Sequence, residues 1–290
     1  MDTATGLLLA GSATARSGPN AAAVCLHALR PDAEAGFLGL AGALRPAAPL
    51  GGAPRPAGSS LHVASLTPCG GVLSACAAIA FGAEVSVTAL PRGSGPAAAA
   101  SAAHKTTWRA VGTSPTAHVT ALAPWPTAPL LLTGSSDGFL SAWDLRSKPA
   151  GASPQPAASS RCGAGRVVLA HPCGAAMALA VCASGEATLW DLRKMGSGAM
   201  APAAHAAACP SHAASSAAAS ATGDGLAVAG AGGASLHAAP VSPVVGGGVG
   251  GWAKLSERGQ KAGALCWGGR HGANLYAGRD DGSVTIYRQW

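Results

Sequence analysis

The chain has 290 residues, 49% of them hydrophobic but only 4% aromatic and 11% charged, and it carries a formal net charge of +7. Much of the apolar fraction is alanine, which buries little area, so a packed core has to lean on the few Trp, Leu, Val and Ile residues. The basic excess is dispersed: no Lys/Arg stretch is denser than 270–279 and none is interleaved with aromatics, so direct nucleic-acid binding is not expected.

In chain order, residues 6–15 (GLLLAGSATA) have the apolar character of a signal-peptide core. The residues before them include Asp2 and no Lys or Arg, which argues against secretion. A first hairpin unit pairs a strand at 7–11 with one at 22–29 across a long polar turn at 12–20. A second places strands at 61–66, 72–77 and 84–90. The apolar run 72–83 is shorter than the ~20 residues a bilayer span requires, so membrane insertion is not expected. The third unit is the most informative. An alternating segment at 118–123 precedes a strand at 130–133, a tight turn at 134–138 and a strand at 139–143, closed by Asp144-Leu145-Arg146. Asp137-Gly138 between two apolar runs is a strong hairpin signal, because the turn needs a positive φ that Gly tolerates.

A fourth unit starts at 166–170, breaks at His171-Pro172, resumes at 179–182 and runs into a second Trp-Asp hairpin, ALAVCASGEATLWDLR at 178–193. The fifth is degenerate, with strands at 217–222, 225–230 and 234–238, and His237 stands where the others place Trp. The sixth has strands at 263–267, 275–278 and 283–287 around the turn Arg279-Asp280-Asp281-Gly282, with Tyr287 at the Trp position. The connectors 44–59, 91–103, 147–160, 195–216 and 240–251 are rich in Pro, Gly, Ser and Ala and read as mobile loops. A repeat of about 50 residues matches a four-stranded propeller blade with generous loops. The expected fold is an all-β propeller: six recognisable blades of four-stranded antiparallel sheet in a single domain, 1–290. The first unit lacks room for its innermost strand, and the sixth stops before an outermost one.

A Trp-Asp hairpin that recurs, with Trp143 and Trp190 spaced by 190 − 143 = 47 residues, resembles the WD40-repeat family. The resemblance implies that the turn acids Asp137 and Asp281 are structural, each fixing its turn and bonding a His and the strand Trp; Asp224, beside Gly225, is a weaker match to the same position. The matching His, usually in a Gly-His pair upstream, is absent from every unit, so an incomplete network and lower stability per blade are expected. Trp143 and Trp190 are expected to pack between adjacent blades, Asp144 and Asp191 to begin the next turn, and Arg146 and Arg193 to pair with nearby acids or stay exposed. The structural repeat positions are therefore Asp137, Trp143, Asp144, Trp190, Asp191, Asp281 and Tyr287.

Other chemistry is thin. His205, Cys209 and His212 offer three ligands where a structural zinc site takes four, so no metal is expected. GGGVGG at 246–251 matches GxGxxG literally but does not join a strand to a helix; it reads as a flexible loop, and no cofactor is expected. No GxSxG elbow is present, and no catalytic residues are assigned. The eight cysteines (Cys25, Cys69, Cys76, Cys162, Cys173, Cys182, Cys209, Cys266) form no CxxC pair, which fits a reducing compartment.

Three features together are similar to the small WD-repeat nucleoporins of the Y-shaped outer-ring complex of the nuclear pore. These are the stretched opening hairpin (GSATARSGPNAAAVCLHAL), two consecutive WDxR blades joined through Lys-Pro-Ala-Gly, and the short final blade LYAGRDDGSVTIYRQW. That resemblance implies a seven-bladed, non-catalytic ring docking onto other protein subunits at the nuclear envelope, with the missing blade expected between Leu90 and His118. The alternatives are a cytoplasmic WD adaptor (dynein-associated, trafficking or chaperone-linked) and a hydrolase using the central channel.

Overall fold

A computed structural model describes residues 7–13, 22–28, 39–44, 61–66, 76–89, 104–110, 114, 116–146, 155–193, 201–210, 213–230, 235–244, 247–255, 261–268 and 274–288. Six antiparallel sheets account for the described strands, and each is a meander in which chain neighbours pair. The first holds β1 (Leu7–Ala13), β2 (Ala22–Ala28) and β3 (Gly39–Leu44). The second holds β4 (Leu61–Leu66), β5 (Cys76–Phe81), β6 (Glu84–Ala89) and β7 (His104–Arg109). The third holds β8 (Val119–Pro124), β9 (Leu130–Ser135), β10 (Phe139–Asp144) and β11 (Ala158–Arg161). The fourth holds β12 (Val167–Cys173), β13 (Met177–Cys182), β14 (Glu186–Asp191) and β15 (Ala201–Ala208). The fifth holds β16 (Ala214–Ala219), β17 (Gly225–Gly230), β18 (Leu236–Pro240) and β19 (Ala253–Lys254), and the sixth β20 (Ala262–Gly268), β21 (Asn274–Arg279) and β22 (Val284–Arg288).

Several expectations need correction. The second strand of the second sheet, expected over 72–77, is described as Cys76–Phe81 and so runs past its expected end, while residues 72–75 lie outside the described residues. The run from 72 to 83 has no alternation to set its phase; the turn sets it instead, pairing Phe81 with Glu84 around Gly82, whose φ of 69° suits the first central position of a two-residue hairpin. The stretch between Leu90 and His118 supplies β7, the fourth strand of the second sheet, rather than a further blade among the described residues. β11 and β15 likewise rise out of segments read as connectors. The strand β12 runs straight through His171-Pro172, where a break was expected, because His171 and Pro172 stay in register with Leu179 and Ala178. The glycine-rich 246–251 segment is tied down where it is described: Gly250 N–H donates to Pro240 O at 2.7 Å, Ser242 N–H to Gly248 O at 2.8 Å, and Val241 bridges Val249. Residues 14–21, 45–60, 90–103, 147–154, 194–200 and 211–212, which include parts of the other expected turns and connectors, lie outside the described residues.

The described chain divides into two compact units, one of residues 1–131 and 144–155, the other of 132–143 and 156–290. In the first, β5 is buried along its whole length and Ile79, Val85, Val87, Leu66 and Trp108 form its apolar centre. Its two neighbouring sheets are joined by Val119 N–H donating to Gly82 O at 2.8 Å. The same device recurs in the second unit, where Ala214 N–H at the head of β16 donates to Ala183 O in the β13–β14 turn at 2.9 Å. There the fourth and fifth sheets share a core of Leu179, Val181, Leu189, Leu226 and Val228, with Cys173 and Cys209 filling small gaps. The sixth sheet seats Leu275 and Ala277 on Ala227, Ala229, Leu236 and Ala238. Trp267 anchors it further, its indole N–H donating to Ala218 O at 3.1 Å.

Candidate functional site

The residues singled out by the repeat pattern sit at the corners of the sheets, and each corner solves its hydrogen bonding differently. In the β9–β10 hairpin, Gly138 has φ 86°, and a Cβ there would lie 2.8 Å from the carbonyl oxygens of both Gly163 and Gly165, so only glycine fits. Asp137 accepts from the hydroxyl of Ser135, and that same hydroxyl oxygen accepts the N–H of Phe139 at 3.1 Å. The acid therefore closes the turn through a serine, without the histidine expected of it. Deeper in the sheet, Trp143 Nε1 donates to Thr133 Oγ1 at 2.9 Å, both residues being buried. The acid–serine pair sits in the turn and the threonine–tryptophan pair deeper in the same sheet.

At the end of β10, Asp144 takes Arg146 Nη2 at 2.8 Å and the Arg146 backbone N–H at 2.9 Å. The guanidinium bond is the main reason its carboxyl is held below the ordinary range. Asp191, at the end of β14, repeats the arrangement with Arg193 at 2.8 Å and its backbone N–H at 3.0 Å, but Asp191 is buried. Both arginines reach outward from the acid they pair with.

Trp190 is buried like Trp143, yet its indole N–H reaches no hydrogen-bond acceptor. The cause is one residue: Ala180 is as far before Trp190 as Thr133 is before Trp143, and it has no hydroxyl to offer. The Trp190 N–H lies instead near the Cys162 thiol, where it favours that group's ionised form without bonding to it at full geometry.

The β21–β22 corner is a third variant. Asp281 accepts the Ser283 backbone N–H at 2.9 Å, and bonding from Ser283 holds its carboxyl below the usual value. The hydroxyl of Tyr287 accepts from Arg279 Nη2 at 2.9 Å while Arg279 Nε donates to Thr285 at 2.7 Å. Arg279 thus anchors the aromatic of this hairpin, as Thr133 anchors Trp143 in the third sheet. Asp224 belongs to the β16–β17 turn and accepts the hydroxyls of Ser220 and Thr222, each at 2.6 Å, which lowers its pKa in that order of effect.

These corners account for every acid the repeat pattern picked out, and in each the carboxylate is engaged by a local partner. Sequence reasoning missed Ser135, Thr133, Ser220 and Arg279, whose signal was available: a hydroxyl or guanidinium two to ten positions from a turn acid or strand aromatic. Of the possible zinc ligands, Cys209 is buried in the core shared by the fourth and fifth sheets, while His212 and the His205 side chain lie outside the described residues. Among the described residues, no three His, Cys, Asp or Glu side chains converge on a point that could hold a metal ion, and no helix is long and apolar enough to cross a membrane.

No protein-family model and no curated protein matches the chain. Solved structures do. The β-propeller domain of Myceliophteria thermophila Cps50 (Swd1) superposes with a TM-score of 0.64 over 98% of this chain and 80% of that one, at 16% identity. The fold is a β-propeller. The computationally designed Ika8 protein also superposes, with a TM-score of 0.55 over 96% of this chain and 71% of that one at 14% identity. At these identities the likeness speaks for the fold alone, and the propeller's repeated corners explain why the Trp-Asp segments fall at equivalent positions of successive sheets.

Proposed function

We propose that this propeller is a non-catalytic WD-repeat scaffold that binds other protein subunits within a large assembly, with the outer ring of the nuclear pore as that assembly and the nuclear envelope as its location. The observation that carries the reading is the outward face of the sixth sheet. Cross-strand partners Cys266, Tyr276 and Ile286 lie in one row, and Ala264, Gly278 and Val284 in the next. Val284 and Ile286 are 62% and 45% exposed, and Ala264 and Cys266 are exposed as well. The opposite face of the same sheet is buried on the fifth. Apolar side chains clustered on one exposed sheet face mark a protein-binding surface more often than a catalytic one. The likeness to the Cps50 (Swd1) propeller domain agrees with a scaffold fold. The assignment to the nuclear pore rests on the sequence resemblance of the opening hairpin, the paired WDxR blades and the final blade.

Affinity purification of the tagged chain followed by mass spectrometry tests the proposal. Recovery of outer-ring nucleoporins supports it in full. Recovery of dynein, trafficking or chaperone subunits keeps the scaffold and overturns the nuclear pore, and hydrolase activity in the purified chain overturns the scaffold.

A further inference from the structure

We propose that Cys162 and Cys182 form an oxidation site, in which hydrogen peroxide converts two buried thiols into a disulfide that staples the end of β11 to β13. Both cysteines are free and buried. Cys162 directly follows β11, and its backbone N–H is fixed on Gly138 O at 2.9 Å. Cys182 ends β13, paired with Val167. The two chain segments touch: a Cβ built on Gly163 would lie 3.4 Å from Cys182 Sγ. The absence of a side chain at Gly163 is what lets β13 approach so closely, with Glu186 on the other side of the same gap. Residues 164–166 are exposed, so a small oxidant has a short path to the pair.

The electrostatics fit this geometry. The thiol of Cys162 is pushed up, first by its bond to Cys182 and then by burial. Cys182 is pushed down by the same bond, against burial and the Glu186 carboxylate. Cys182 is therefore the sulfur that ionises first and meets the oxidant. Its thiolate attacks a peroxide oxygen: an S–O bond forms, the O–O bond breaks, and hydroxide leaves and takes up the thiol proton as water. Cys182 is then a sulfenic acid, oxidised by two electrons while the peroxide is reduced. The sulfur of Cys162 attacks that of Cys182, the S–S bond forms, the S–O bond breaks, and the oxygen departs as a second water carrying the Cys162 proton. Cys173 and Cys266 serve as internal comparisons: the Cys173 thiol is pushed up to about 12 by burial, and Cys266 is exposed.

Trypsin provides a direct assay, because cleavage after Arg161, Arg166 and Arg193 puts Cys162 in the peptide 162–166 and Cys182 with Cys173 in 167–193. After peroxide treatment of the intact protein and blocking of free thiols, the two peptides are expected to run as one linked species. Fragmentation should place the link on Cys182, and dithiothreitol should release it. The oxidised protein is expected to melt roughly 5–10 °C higher, from the entropy removed by closing a short loop. In a Cys162→Ser variant, Cys182 should stop at the sulfenic acid and be trapped by a dimedone-type probe. Recovery of 162–166 only as the blocked free thiol, or a link to Cys173, overturns the proposal.

Discussion

The pair formed by Trp143 and Thr133 offers the sharpest energetic test of the repeat-corner description. Replacing Thr133 by Val keeps the side-chain shape and removes the hydroxyl that Trp143 Nε1 meets at 2.9 Å. Thr133 is 1% exposed and Trp143 4%, so water cannot replace the lost acceptor. Leaving a buried donor without a partner costs about 1–3 kcal/mol. Against a total stability of about 5–15 kcal/mol for an ordinary domain, that is a visible fraction. The assay is a double-mutant cycle by denaturant unfolding, reading shifts of the midpoint at constant slope. In a Trp143→Phe background the N–H is already gone, so Thr133→Val should cost almost nothing, giving a coupling of about 1 kcal/mol or more. The converse change, Ala180→Ser, should give Trp190 the acceptor it lacks and raise stability by about 1 kcal/mol. Additive effects of Thr133→Val and Trp143→Phe, to within about 0.5 kcal/mol, would refute the hydrogen bond as the source of the corner's stability.

Other expectations follow from the same geometry. Gly138→Ala forces a Cβ onto two carbonyl oxygens and a side chain into φ 86°, and should destabilise by roughly 2–4 kcal/mol, read by the same unfolding assay. Asp191→Ala should lower the melting temperature more than Asp144→Ala, since the two acids make the same bonds to arginine but only Asp191 is buried. His62, His171 and His237 are each held below the usual value of 6.5, chiefly by burial. The unfolded chain therefore binds more protons than the folded one just below that value, and stability present above about pH 6.5 should decline as the pH falls further. Asp144, Asp224 and Asp281 are depressed too, so a second loss should set in as the pH drops below about 3.8. Thermal melts between about pH 7.5 and about pH 3 should show both declines.

How much of this was legible in the residues depends on how strongly each strand carries its own signal. β9, β10 and β17 lie almost where expected because apolar, partly β-branched runs are bounded by Asp-Gly or by glycine. The outer strands were not legible. HKTTWR carries Thr106, Thr107 and Trp108 but no apolar alternation, and ASSR, APAAHAAA and AK have neither alternation nor many strand-forming residues; each is paired along the hydrogen-bonding edge that the preceding strand offers. β5 was displaced for a related reason, since a run of alanine and other small apolar residues fits either phase until a turn selects one. At the corners, the acids and aromatics could be placed by spacing, while their partners could not. Whether Trp190 finds a hydroxyl is decided by Ala180, and whether Tyr287 is anchored is decided by Arg279, neither of which stands out in a pattern built on tryptophan and aspartate.

The central claim, that the propeller works by binding protein through its exposed sixth-sheet face, is tested most directly by quantitative affinity purification of the intact chain beside a Val284→Glu/Ile286→Glu variant. Both side chains point away from the core, so the variant should melt with the wild type, and its recovered partners should fall by about tenfold or more, as expected when central apolar contacts of an interface are lost. Unchanged partner recovery by a normally folded variant would contradict the account.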